Sequence, residues 1–236
     1  MIVYGRNPVR EALRGRRRVN RVYATARAAR EVFLGEVECE RAEPWDIQER
    51  CGSPDHQGIC AEVGPYPYVD ADSLLEAGDA LVLALDEVQD PHNLGAVCRV
   101  AEAAGCSGVV LPERRSAEVT PAVCRASAGA VEHLPVARVQ NLADWLGWAK
   151  EREAWVYGAV ADARVPYDRP DYRGRVVIVL GSEGRGLRPR VTAACDELVF
   201  LPSPGRVASL NVSTAAAALV YGILQFRKRG LTGLHN

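Results

Sequence analysis

No segment of the chain approaches the ~18 continuous apolar residues of a membrane-spanning helix, although 48% of its 236 residues are hydrophobic. A helical membrane anchor is therefore not expected. The length is enough to bury a substantial core in one or two domains. The opening residues lack an apolar stretch and a cleavage-like site, so no secretory leader is expected. The seven cysteines include no CxxC pair, and the four histidines are scattered. Those spacings do not suit zinc, and no metal is predicted. An odd number of dispersed thiols fits a reducing cytoplasm.

Lysine is also scarce: of the 29 basic residues only Lys150 and Lys228 are lysine, from which no functional conclusion follows. A net charge of −1 argues by itself against a bulk nucleic-acid binder, but the distribution is uneven. Residues 1–30 carry nine arginines and one acid, and residues 31–68 carry nine acids and two arginines. The cluster that includes Arg14, Arg16, Arg17, Arg18 and Arg21 has the charge to neutralise phosphates and steer RNA. A solvated helix end and turn would read the same way.

Organisation follows from punctuation and period. Asn7 as cap, Pro8 in the first turn and Gly15 as stop predict a helix. After it come expected strands at 19–25, 37–42 and 58–63 with helices at 28–34 and 45–51. Gly64-Pro65-Tyr66-Pro67-Tyr68 reads as an extended linker, because its prolines do not suit a central strand. The domains expected are 1–68, a joining stretch 69–78 holding a first helix, and 79–236. In the last of these, strands at 80–86, 108–111, 135–139, 155–160, 176–180 and 198–201 alternate with helices at 94–104, 121–132, 142–153, 187–195 and 212–228. That alternation predicts an α/β fold whose parallel sheet is covered by helices on both faces, with ligands at the carboxyl ends of the strands.

Three segments stand out. Gly181-Ser182-Glu183-Gly184-Arg185-Gly186-Leu187 follows the apolar run 176–180, where glycines let the backbone turn sharply beside a ligand. It matches neither the phosphate-loop spacing nor the dinucleotide fingerprint, which argues against a nicotinamide-dependent oxidoreductase. The others are Asp86–Gly105, with Asp90-Pro91-His92-Asn93 and Arg99, and Leu201–Ser213, which leads into an alanine-rich helix. In this order and at these spacings the three resemble the motifs of the SpoU branch of the SPOUT RNA methyltransferases. Val3–Leu13 and His56-Gln57-Gly58-Ile59 resemble the front domain of its RlmB type, and the likeness covers essentially the whole chain.

The resemblance implies a small L30e-like front domain and a SPOUT domain closed by a C-terminal trefoil knot. It implies S-adenosylmethionine-dependent 2′-O-methylation of a guanosine in 23S ribosomal RNA by a cytoplasmic homodimer. Transfer RNA as substrate (the TrmH-like alternative) and a catalytically silent RNA-binding protein are the rivals. The catalytic set carried over is Asn93, Arg99, Glu183, Ser209 and Asn211, and the cofactor set is Gly181, Leu201 and Leu210.

On a helix turning ~100° per residue, Leu94, Val97, Cys98, Ala101 and Ala104 share a face and Arg99 lies roughly opposite. Guanidinium suits a phosphate grip far better than proton removal, so the role of Arg99 in proton transfer stays open. Glu183 is either the base or a brace for its turn. Asn93, Ser209 and Asn211 read equally as helix caps. Ser203 stands where similar sequences often carry a bulkier apolar residue. The final helix is apolar around much of its circumference, which fits either core burial or a second subunit.

Overall fold

The computed structural model describes residues 1–35, 37–182, 184–205 and 210–232. The first unit contains β1 (Ile2–Tyr4), α1 (Arg6–Arg14), β2 (Val19–Ala24), β3 (Cys39–Arg41), α2 (Pro44–Cys51) and β4 (Ile59–Val63). Its sheet runs β1-β4-β2-β3, with β2 and β3 parallel and the other pairs antiparallel. The N-cap of α1 is Gly5 at φ 90°, and Asn7 lies inside the helix. The helix expected over 28–34 is instead two short 3-10 turns, Ala28–Arg30 and Val32–Leu34.

A 3-10 turn at Ala71–Leu75 leads to β5 (Leu81–Asp86), α3 (Pro91–Ala103), β6 (Gly108–Pro112), α4 (Pro121–Ala126) and β7 (Val136–Val139). Then follow α5 (Leu142–Glu151), β8 (Trp155–Ala159), β9 (Val165–Pro166), β10 (Val176–Gly181), α6 (Pro189–Ala194), β11 (Glu197–Phe200) and α7 (Val212–Thr232). The seven strands form one parallel sheet in the order β7-β6-β5-β10-β8-β11-β9. The central strands are buried on both faces, as their unbroken apolar runs require. Alternate residues feed two cores. Leu81, Leu83, Leu85, Val176 and Ile178 meet α3 and α7, whereas Val82, Ala84, Val177 and Val179 meet α5 and α6. Each such Val, Leu or Ile side chain contributes roughly 1.5–3 kcal/mol by burial.

The helix expected over 121–132 stops at Ala126, because Ala128 and Gly129 take positive φ (54° and 88°) before a 3-10 turn at Ala130–Glu132. The break brings α1 close: a Cβ on Gly129 would meet Glu11 Cβ at 2.7 Å.

The stretch 64–68 is extended but not slack. The Tyr66 hydroxyl donates to the Val131 and Leu134 carbonyls at 3.0 and 2.9 Å, and the Tyr68 hydroxyl accepts from Val119 N at 2.8 Å. Val3, Val9 and Ala12 of the first unit share one continuous core with Val97, Val123 and Val131. Arg17, counted above in the exposed basic cluster, is 6% exposed and donates to both oxygens of buried Glu132 and to Cys124 Sγ. Burial pushes the Cys124 thiol up to about 12. The implied knot involves the last motif, where residues 206–209 lie outside the described residues.

Candidate active site

The carboxyl ends of β5, β10, β8 and β11 converge, because parallel strands in register finish on one edge. Gly181 sits opposite Asp86 in the β10–β5 ladder. Beyond Gly181 the chain folds back on itself, with Gly186 N donating to Ser182 O at 3.0 Å. A Cβ on Gly181 would lie 2.3 Å from Gly186 C and O, so no side chain fits there. Gly184 and Gly186 take φ of 80° and 66°, backbone that glycine adopts at least cost.

This turn borders a cavity of about 600 Å³. Its described walls are the loop Ala159–Asp162 after β8, the 180–187 turn, Leu198, Val199, Leu201 and Ser203 after β11, and Leu210, Val212 and Ala215. The three residues expected to hold the cofactor, Gly181, Leu201 and Leu210, therefore line a single space. Leu210 is 47% exposed. Asp162 is the one carboxylate among the described lining residues. Sequence reasoning passed over the β8 loop, although its place at a strand's carboxyl end was the available signal.

A second cavity of about 280 Å³ adjoins the first, sharing Ser182, Arg185 and Val212 with it. Its other walls are Glu87, Val88, Gln89, Asp90 and Asn93. Asn93 is not a cap: α3 begins two residues earlier, capped by Asp90, whose carboxylate accepts from His92 N at 2.9 Å, with Pro91 in the first turn. Asn211 does cap α7, accepting from Ser213 N and Oγ at 2.8 and 2.6 Å. Its Nδ2 also donates to Asn93 Oδ1 at 2.9 Å. The first and last motifs are thus joined directly.

Asp86 and Arg188 brace the site, and the sequence reading missed both. Asp86 is fully buried and accepts from Arg188 N at 2.8 Å and Nε at 2.7 Å. This clamps the end of the glycine turn to β5. Glu87, at φ 58°, faces Arg188 at 3.5 Å and Arg115 at 3.4 Å.

Arg99 is exposed on α3, roughly 9 Å along the helix axis from Asn93 at 1.5 Å per residue. It is not among the residues lining either cavity. Glu183 and Ser209 lie outside the described residues. No group of three or more His, Cys, Asp or Glu converges among the described residues in a way that would hold a metal ion. No helix among them is long and apolar enough to cross a membrane.

The SpoU rRNA methylase family model matches residues 80–221, and the model for RNA 2′-O ribose methyltransferase substrate binding matches residues 2–69. A Bacillus subtilis (strain 168) protein assigned to the TrmH family of tRNA/rRNA methyltransferases, YacO, is 38% identical over 98% of this chain and 97% of its own. Among solved structures, the AdoMet-bound rRNA methyltransferase from Sinorhizobium meliloti superposes with a TM-score of 0.80 at 26% identity, covering 95% of this chain and 86% of that one. The SpoU methyltransferase AviRb from Streptomyces viridochromogenes gives 0.83 at 25% identity, covering 98% and 90%. Fold and site define an S-adenosylmethionine-dependent RNA methyltransferase. The chain belongs to the SpoU rRNA methylase family.

Proposed function

We propose that this protein methylates the ribose 2′-hydroxyl of a guanosine in 23S ribosomal RNA, acting in the cytoplasm as a homodimer. The observation that carries the site assignment is the Asn211–Asn93 hydrogen bond. It ties Asn93, in the wall of a smaller polar cavity, to Asn211, whose neighbour Val212 lines both that cavity and a larger, largely apolar one.

The larger cavity suits S-adenosylmethionine. Its volume lies within the ~300–1,000 Å³ of small-ligand sites. Leu201 and Leu210 can enclose an adenine ring, backbone groups at Gly181 can read its edge, and Asp162 can accept from ribose hydroxyls. Bound there, the cofactor supplies an electrophilic methyl on a sulfonium, so no metal is required. The protein's own task is to place the RNA oxygen in line and assist loss of its proton. Asn93 and Asn211 orient groups at the smaller cavity, and Arg99 anchors an RNA phosphate with its planar fork. Glu183 is the proposed proton acceptor or turn brace, and Ser209 completes the substrate side; both assignments rest on the resemblance.

The homodimer reading draws on α7. Ala216, Leu219, Val220 and Ile223 are buried, whereas Thr214, Ala218, Tyr221 and Gln225 form an exposed stripe, with Tyr221 48% exposed. The exposed arginines of the first unit, Arg14, Arg16, Arg18 and Arg21, support RNA delivery from residues 1–68.

The test is transfer of labelled methyl from S-adenosylmethionine to unmodified 23S RNA and to transfer RNA, with the product nucleoside identified. Label in a 2′-O-methylguanosine of 23S RNA is the expected result. Label confined to transfer RNA would replace the substrate, and RNA binding with no S-adenosylmethionine binding by calorimetry would favour the silent RNA-binding alternative.

A further inference from the structure

Next to the polar cavity, across the carboxyl ends of β6 and β7, lies a cleft of about 540 Å³ that neither set of expected site residues touches. Four arginines line it: Arg114, Arg115, Arg188 and Arg190. Resting on the RNA-methyltransferase reading, we propose that this cleft seats the sugar-phosphate backbone of the RNA flanking the target nucleotide. Arg114, Arg115 and Arg190 would then be its phosphate contacts.

Three observations carry this. The first is position. Glu87 lines the polar cavity, and its two arginine partners, Arg115 and Arg188, line the cleft. Glu87 and its two arginine partners therefore stand between the two spaces, and a strand leaving the polar cavity on this side enters the arginines.

The second is backbone strain. Glu87 and Arg115 both hold φ of 58°, a left-handed conformation that non-glycine residues adopt at a cost of roughly 1–3 kcal/mol. The two strained residues pair with each other from separate loops. The strain presents the Arg115 side chain, 73% exposed, at the cleft.

The third is availability. Arg114 is exposed and has no hydrogen-bond or ion-pair partner among the described residues. Arg190 meets Asp144 at 3.1 Å with both side chains mostly exposed. Such pairs are worth only ~0–1 kcal/mol, so a phosphate readily displaces the carboxylate. Arg188, by contrast, is committed to Asp86 and forms a fixed wall. Arginine's planar fork suits phosphate oxygens.

The test measures binding of unmodified, in vitro transcribed 23S RNA to the full-length protein over a range of salt concentrations, with methyl transfer recorded in parallel. Each phosphate contact contributes ~0.7–0.9 to the salt slope, so Arg114→Gln with Arg190→Gln should lower the slope by about 1.4–1.8. S-adenosylmethionine affinity and thermal midpoint should stay at their wild-type values. Asp144→Asn, which frees Arg190 from its competitor, should tighten RNA binding two- to threefold or so by the same electrostatic argument.

An unchanged slope in the double variant would overturn the cleft assignment while leaving the methyltransferase reading intact. The expected slope loss in the double variant, with wild-type protein that transfers no methyl, would sink the proposed function and keep the cleft. Wild-type protein that binds no RNA would remove both.

Discussion

Asn211 donates through Nδ2 to Asn93 Oδ1 at 2.9 Å across 118 positions of sequence, while its own Oδ1 caps α7. One side chain thus starts the last helix and ties it to the first turn of α3.

That dual role can be split. Asn211→Asp keeps the acceptor that caps α7 but removes the donor to Asn93. It should hold stability within ~0.5 kcal/mol and still reduce methyl transfer by roughly a hundredfold, the scale of a small misplacement of reacting groups. Asn211→Ala should lose the same activity and a further ~1 kcal/mol of stability. Thermal melts alongside initial rates decide it; a fully active Asn211→Asp would show that the bond to Asn93 is irrelevant to turnover.

Arg99→Ala should abolish turnover with a stability change within ~0.5 kcal/mol, because the side chain is exposed and off the apolar stripe of α3. Single-turnover assays at saturating RNA provide the check. Wild-type rates would show that Arg99 takes no part.

Asp86→Ala removes a fully buried carboxylate from the Arg188 backbone amide and guanidinium. A loss of ~3 kcal/mol is expected, as for other broken buried pairs, together with weakened S-adenosylmethionine binding as the glycine turn comes loose. Denaturant unfolding and calorimetry measure the two effects. A stable variant that binds the cofactor normally would contradict the clamp.

Glu132→Ala leaves the Arg17 guanidinium buried without its carboxylate and should cost ~3–5 kcal/mol. Deleting residues 1–68 removes Arg17 and opens the shared core, so the remainder should melt well below the full chain instead of merely losing RNA affinity. A truncated protein with an unchanged melting midpoint would show that the shared core contributes little.

Thiol chemistry offers an independent check on packing. Burial pushes Cys98 and Cys106 up to about 12, and both are buried. A disulfide reagent should modify the partly exposed Cys51 quickly and reach Cys98 and Cys106 only on denaturation. Mass spectrometry of the labelled native protein would reveal any early reaction at those buried thiols.

Much of the catalytic fold was legible in the chain. Val176–Leu180 and Leu81–Asp86 are strands because their unbroken apolar runs suit burial on both faces. The caps were less legible. Asp90 precedes Asn93 by three residues and offers the same cap chemistry, and only the backbone path decides between them. Asn7 lost its capping position to Gly5 for the same reason. The end of α4 was hidden because Ala128 carries no turn signal, although it takes positive φ beside Gly129 and breaks the helix there.

By itself the sequence determined the alternation of strands and helices, the glycine turn after β10 and the three segments that mark the family, since all of these depend on local period and residue chemistry. Only the tertiary structure decided that Arg17 leaves the surface for Glu132, that Asp86 holds Arg188, and that Asn211 reaches Asn93. Those partners lie far apart along the chain. Their pairing is set by which strand ends the sheet order brings to one edge and by the requirement that buried polar groups find partners, and neither is written into any short window of sequence.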